Sequence, residues 1–223
     1  MSLRKSNIYS WEDYNKSISK ICAYNIKFNN KFKINSVEKS YYPHTRDLFA
    51  LSLSDYKIKK VLDYGSNISA LSNLNNKINT NKKKFFVFDP FCKKKLSTKI
   101  KSINYKVITE IKELQKEEIN FVHFGSCLQY IENFKINLKN INFDHCLKIL
   151  ITATPITFGN KYKAKQTNHV NLIQNVHNYK QIISFFKRYG FKVIFKSSMD
   201  INLSKLEKLN KNTYFLNILM EKK

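Results

Sequence analysis

Two carboxylates, each closing a short apolar run, are the groups in this sequence best placed to do chemistry. Lys60-Val61-Leu62-Asp63-Tyr64-Gly65-Ser66-Asn67 reads as a buried strand that stops at an acidic residue, a glycine turn and small polar residues. A nucleotide-binding βα unit begins in this way. Gly65 lets the backbone turn tightly, and the free N–H groups that open the following helix face a ligand. Further on, Phe85-Phe86-Val87-Phe88-Asp89 repeats the arrangement, and a carboxylate there suits ribose hydroxyls. The glycine pattern is incomplete, because Asn67 and Ala70 stand where G-x-G-x-x-G places its second and third glycines. A nucleoside site is the leading expectation.

Metal and thiol chemistry have less support. Cys22, Cys92, Cys127 and Cys146 are scattered without C-x-x-C spacing, and His44, His123, His145, His169 and His177 are equally dispersed. Buried free thiols and no metal are expected. His123 lies inside an apolar run, so a packed, hydrogen-bonded ring is expected there rather than a base.

The elements that must position these groups follow from hydrophobic patterning. Val61–Tyr64, Phe85–Phe88, Tyr105–Ile108, Ile119–Phe124, Leu147–Ala153, Phe191–Lys196 and Tyr214–Met220 are short apolar runs, most of them separated by helix-length polar segments. Runs buried on both faces and spaced in this way form a mainly parallel sheet with crossover helices. Between the last two runs there is no long helix, so they are expected to pair antiparallel at one edge. The fold class is α/β: a Rossmann-like, seven-stranded, mainly parallel sheet with an antiparallel last strand, in three α/β/α layers. Trp11–Tyr24 and Thr45–Tyr56 carry helical patterning, with Ser10 as N-cap. Residues 1–58 are therefore expected to be an N-terminal helical cap, and residues 59–223 the Rossmann-like domain.

The formal net charge of +24 would ordinarily point to nucleic acid or an anionic surface. Here lysine runs with asparagine and isoleucine along the whole chain, the bias of an AT-rich genome rather than of one selected patch. No apolar run approaches the roughly twenty residues of a membrane span, and the amino terminus is polar. A cytoplasmic protein is expected.

The fourth apolar run leads into Gly125-Ser126-Cys127-Leu128-Gln129-Tyr130. This segment resembles the fourth-strand motif of class I S-adenosylmethionine-dependent methyltransferases. It is most similar to a branch associated with bacterial surface-polysaccharide genes, whose motif also ends in Leu-Gln-Tyr. Ser10-Trp11-Glu12, Arg46-Asp47 with Phe49, Asp63-Tyr64-Gly65-Ser66, Thr154-Pro155, Gln174 and Gly190-Phe191 follow that branch's motifs in order. Ser66 and Ser69 depart from it where it usually has glycine, and Ala153 where an arginine commonly precedes Thr-Pro.

The resemblance implies S-adenosyl-L-methionine as cofactor and a role for each matching position. Asp89 would accept from the ribose hydroxyls, and Gly65, Ser66 and Asn67 would let the backbone approach the amino-acid tail. Asp63 would orient that loop or meet the ammonium group, and Arg46 would pair with the tail's carboxylate. Ser126, Leu128 and Gln129 would line the carboxyl end of the fourth strand. His169 and His177, in the polar segment after the fifth strand, are the candidate bases. The implied reaction is O-methylation of a sugar, sugar nucleotide or surface glycan. An RNA methyltransferase, with nucleic acid as a less favoured partner, and a degenerate, non-catalytic binding subunit are the competing readings.

Overall fold

The computed structural model describes residues 43–65, 78–88, 103–166, 172–199, 206–207 and 212–223, together with Leu71 and Leu74. Its strands are β1 (Lys60–Tyr64), β2 (Lys84–Phe88), β3 (Tyr105–Ile108), β4 (Phe121–Gly125), β5 (Lys148–Thr157), β6 (Tyr162–Gln166), β7 (Leu172–Asn178), β8 (Phe191–Met199), β9 (Leu206–Glu207) and β10 (Thr213–Lys222). The α-helices of four residues or more among the described residues are α1 (Pro43–Leu53), α2 (Phe134–Leu138) and α3 (Tyr179–Lys187).

Strands β3-β2-β1-β4-β5 run parallel in that order, β10 lies antiparallel to β5, and β8 antiparallel to β10. All seven expected strands are present, with the last one reversed. Alternation along them builds two cores. Leu62, Tyr64, Phe86, Val122, Phe124, Ile149 and Ile151 pack under α2 and α3 with Ile182 and Phe186. Val61, Phe85, Val87, Phe121 and Leu150 face the other way, against Phe49, Ala50 and Leu53 of α1. These are the three layers expected from runs apolar on both faces. The expected helix at Thr45–Tyr56 is α1; the one at Trp11–Tyr24 lies outside the described residues.

The structure adds β6, β7 and β9, which the sequence pattern does not suggest. β6 and β7 pair antiparallel, and β9 pairs with β6. Polar Gln174, Asn175 and His177 interrupt the apolar alternation of β7, so the segment reads as a loop. All three are nevertheless buried. Their place arises because β5 outruns β4: Gly125 ends opposite Thr152, and β7 takes the bare edge at Ile156 and Thr157.

A bulge in β5 makes that extension. Ile151 faces Ile218 and Thr154 faces Leu216, so Thr152 and Ala153 together oppose Asn217. Ala153 has φ 49°, a left-handed value that a bulge imposes and an alanine tolerates only when held. The buried Asn217 side chain holds it: Oδ1 accepts from Ala153 N at 3.0 Å. The extra residue reverses the strand's alternation, so Ile149, Ile151 and then Ile156 all enter the same core.

Lysines start three of the central strands and are neutralised there. Lys60 and Lys84 share Glu117 at 3.0 and 3.2 Å, and Lys148 meets Asp55 at 2.8 Å. Among the described residues no helix is long and apolar enough to cross a membrane.

Asn217→Ala leaves the buried Ala153 N–H without an acceptor and should cost about 1–3 kcal/mol of stability. Urea unfolding followed by circular dichroism measures it; a loss within experimental error would show that the bulge holds itself.

Candidate functional site

Asp63 sits near the carboxyl end of β1, in register with Val87 on one side and His123 on the other. Its side chain points into the α1 face of the sheet and is 1% exposed. Oδ1 accepts from His123 Nδ1 at 2.8 Å, and His123 Nε2 lies 2.9 Å from Thr152 Oγ1. An ionised carboxylate can only accept, so Nδ1 carries a proton and donates it to Asp63, while Nε2 and the Thr152 hydroxyl share the second hydrogen bond. Asp63, His123 and Thr152 thus form one polar chain across β1, β4 and β5.

The neighbours of the ring fix its pose. A Cβ at Gly125 would lie 2.8 Å from His123 Cε1, so only glycine leaves room for the imidazole two residues earlier on the same strand face. On its other side Phe49 of α1 stacks against it, with centroids 4.2 Å apart and planes 19° from parallel. His123 is the packed, bonded histidine that its position in an apolar run implied.

Past the end of β4 the chain turns at Ser126, whose φ is 52°. Its N–H donates to Thr152 O at 2.9 Å, tying the turn to β5 beside the bulge. Gln129 Nε2 donates to both Ser126 O and Ser126 Oγ at 2.9 Å, which holds the turn in its left-handed conformation. Two strained, non-glycine residues, Ser126 and Ala153, therefore flank Thr152 at the sheet's carboxyl edge.

Gly65 has φ 77°, as a tight turn after β1 requires. The space where its Cβ would stand is filled by protein: Cys127 Cβ would be 2.2 Å away. Cys127 Sγ in turn donates to Tyr64 O at 3.1 Å. The glycine is needed first for packing the β1 turn onto the β4 turn, whereas the sequence suggested only turn geometry and ligand approach. Cys127 and Cys146 are buried free thiols, and burial pushes the Cys146 pKa up to about 12.

His177 is not in an exposed polar segment after β5. It lies in β7 beside Ile156, 3% exposed, and its Nε2 donates to Leu128 O at 2.9 Å. Burial lowers its pKa below 6.5, offset in part by the carbonyls of Leu128 and Ile131. Asn175 Nδ2 donates to Gln129 O at 3.2 Å, so β7 pins the 128–131 turn from below. Leu128 itself is fully buried in the core beneath α3. Arg46 belongs to α1, three residues before Phe49, with its side chain outside the described residues. Ser66, Asn67, Ser69, Asp89 and His169 also lie outside them.

Among the described residues three buried side-chain polar atoms have no hydrogen-bond partner: Asp63 Oδ2, Gln129 Oε1 and Gln174 Nε2. Each belongs to a residue that the sequence motifs single out. Thr152 and Asn217 carry no such signal, although the spacing His123-x-Gly125 on one strand face is a readable trace of a ring over a glycine. Among the described residues no cluster of histidine, cysteine or carboxylate groups could hold a metal.

Gly65→Ala should destabilise the fold by about 2–4 kcal/mol, combining overpacking with left-handed strain, and Cys127→Gly in the same chain should recover part of it. Equal losses with and without Cys127 would remove the packing explanation. His177 supplies a pH test. Its folded pKa lies below its unfolded one, so the unfolded state takes up the proton first. Its contribution is complete above about pH 6.5 and declines as pH falls through the unfolded pKa towards the folded one. His177→Gln should flatten this part of the stability profile in urea titrations between pH 7 and pH 5.

No protein-family model matches the sequence, and no curated protein matches it. Solved structures do. The chain is similar to the Burkholderia thailandensis 1,6-didemethyltoxoflavin-N1-methyltransferase with bound 1,6-didemethyltoxoflavin and S-adenosylhomocysteine, at TM-score 0.57 and 9% identity over 98% of this chain and 92% of that one. It is similar to magnesium protoporphyrin IX methyltransferase from Synechocystis PCC 6803 with bound S-adenosylhomocysteine, at TM-score 0.58 and 11% identity over 94% and 100%. A third similar structure is the N-terminal domain of EvdMO1 in the presence of S-adenosylhomocysteine and D-fucose, at TM-score 0.58 and 8% identity over 99% and 100%. With its reversed last strand and its strained turns at the carboxyl edge, this chain has the Rossmann-like fold of the S-adenosylmethionine-dependent methyltransferases.

Proposed function

We propose that this protein is an S-adenosylmethionine-dependent methyltransferase, with the cofactor across the carboxyl ends of β1, β2 and β4 and a sugar hydroxyl as acceptor. The observation that carries the cofactor reading is Asp63 Oδ2. It is a fully buried carboxylate oxygen without a partner, two residues before the left-handed Gly65. A buried ionised group is costly unless a donor or cation completes it, and the cofactor's ammonium group has that charge. The unpartnered amide atoms of Gln129 and Gln174 likewise fit a ligand rich in donors and acceptors.

When bound, the cofactor supplies a methyl group activated by a sulfonium. The chain's own residues bind and orient. Asp63 would accept from the ammonium, and Gly65, together with motif positions whose side chains lie outside the described residues, would complete the site. Gly65, Ser66 and Asn67 would let the backbone approach the tail, Arg46 would pair with the tail's carboxylate, and Asp89 would accept from the ribose hydroxyls. Ser126 and Gln129 form the rim at β4, with Leu128 packed beneath it. Positioning of this kind supplies most of the rate in a transfer that needs only an in-line approach.

His169 is the remaining candidate to take the hydroxyl proton. His177, buried with its Nε2 proton given to Leu128 O, steadies the rim instead. The sugar acceptor rests on the likeness of Leu128-Gln129-Tyr130 to the polysaccharide-associated branch, and the similar EvdMO1 domain was crystallised in the presence of D-fucose. Ser66 and Ser69 favour a second reading, a cofactor-binding subunit without turnover.

Isothermal titration with S-adenosylhomocysteine tests the cofactor, and Asp63→Asn should weaken it by about 1.5–3 kcal/mol, roughly ten- to hundredfold. No heat of binding to the wild-type protein would end the methyltransferase reading. Methyl transfer from labelled cofactor to a sugar-nucleotide pool separates the enzyme from the inert subunit.

A further inference from the structure

His123 has a chemistry that neither the fold nor the sequence motifs assign. It is buried, both ring nitrogens are engaged, and the structure gives up a side chain at Gly125 to admit it. A core position on a parallel strand is ordinarily filled by Val, Ile or Leu, which need none of these accommodations. Among the described residues it is the hydrogen-bond partner of the Asp63 side chain, and Asp63 Oδ2 is the carboxylate atom left over.

We infer that His123, locked by Thr152, is a positioning residue that holds Asp63 by one oxygen so that the other is presented, ionised and fixed in direction, to the ammonium group of the cofactor. The inference rests on the cofactor reading above. A carboxylate on its own rotates about Cβ–Cγ and shares two equivalent oxygens. Donation from Nδ1 into Oδ1 removes that freedom, and the hydrogen bond between Nε2 and the Thr152 hydroxyl holds the far end of the ring. Phe49 and Gly125 hold the ring plane. Thr152 is itself anchored, since its carbonyl accepts from Ser126 N and Thr154 Oγ1 at 2.9 and 3.1 Å. The clamp therefore ties recognition of the cofactor tail to the two strained turns at the rim.

The test compares the affinities of the full chain for S-adenosylhomocysteine and for its analogue lacking the α-amino group. In the wild-type protein the amino group should be worth about tenfold or more in Kd. His123→Asn places an amide N–H near the Nδ1 position and should keep most of that preference. His123→Gln reaches instead towards the Nε2 position and should reduce it to about threefold or less, by loss of one charge-assisted bond. Both variants lose the Phe49 stack, so a purely structural role would move the two ligands together.

The same preference in wild type, Asn and Gln variants would overturn the inference, as would a wild-type protein that binds both ligands equally. A wild type that binds neither would overturn the cofactor reading itself. Should both His123 variants fail to fold, Thr152→Ser and Thr152→Val decide the matter. The serine should retain the amino-group preference and the valine lower it by about threefold, and equal values would overturn the inference.

Discussion

The constraint on which this structure turns is a carboxylate with no solvent contact in the middle of a sheet. Asp63 occupies a site that would otherwise take a branched apolar residue, and its charge must be met by groups the protein brings to it. His123 meets half of it. Accepting the ring in turn requires glycine at 125, an aromatic plane at 49 and a hydroxyl at 152. Three elements, β1, β4 and β5, are therefore fixed relative to one another by one polar chain, and α1 by the Phe49 stack, as well as by the cores on either side.

The bulge in β5 follows from the same arrangement. Thr152 must offer its hydroxyl to His123 on the α1 face, while two to four residues later β5 must return Thr154 and Ile156 to their own partners in β10 and β7. A regular strand cannot present all of these. The extra residue at Ala153 reconciles them, and Asn217 absorbs the N–H that the irregularity would strand. Ala153 occupies a position where the resembling branch commonly has arginine. The bulge gives that position a conformational role that an alanine can fill.

Much of the fold is legible in the sequence because each of the seven core strands contains a short apolar run, and those of β1, β2, β4 and β5 are buried on both faces. The hairpin of β6 and β7 is hidden for the opposite reason. Its burial is satisfied by hydrogen bonds from Asn175 and His177 to backbone carbonyls of the 128–131 turn, which hydrophobic patterning cannot register. At the site, Asp63 and Gln129 are signalled by position after an apolar run, and the structure leaves one buried atom of each without a partner. Thr152 and Asn217 are silent, since their roles depend on a register between β4, β5 and β10 that no local pattern carries.

Glycine usage bears on the same point. The chain has only four glycines in 223 residues, and two of them, Gly65 and Gly125, stand where a Cβ would strike Cys127 or His123. In a sequence biased towards lysine, asparagine and isoleucine, a glycine at such a crowded position is there because nothing larger fits. Ser126 shows the alternative, a left-handed residue without glycine whose conformation is held by Gln129 through two hydrogen bonds. The lysines divide along the same axis. Those that start β1, β2 and β5 are neutralised by Glu117 and Asp55 at the amino edge, away from the carboxyl edge where Asp63 lies. With His123 as its side-chain hydrogen-bond partner among the described residues, that carboxylate keeps one oxygen for a cation from outside the sheet.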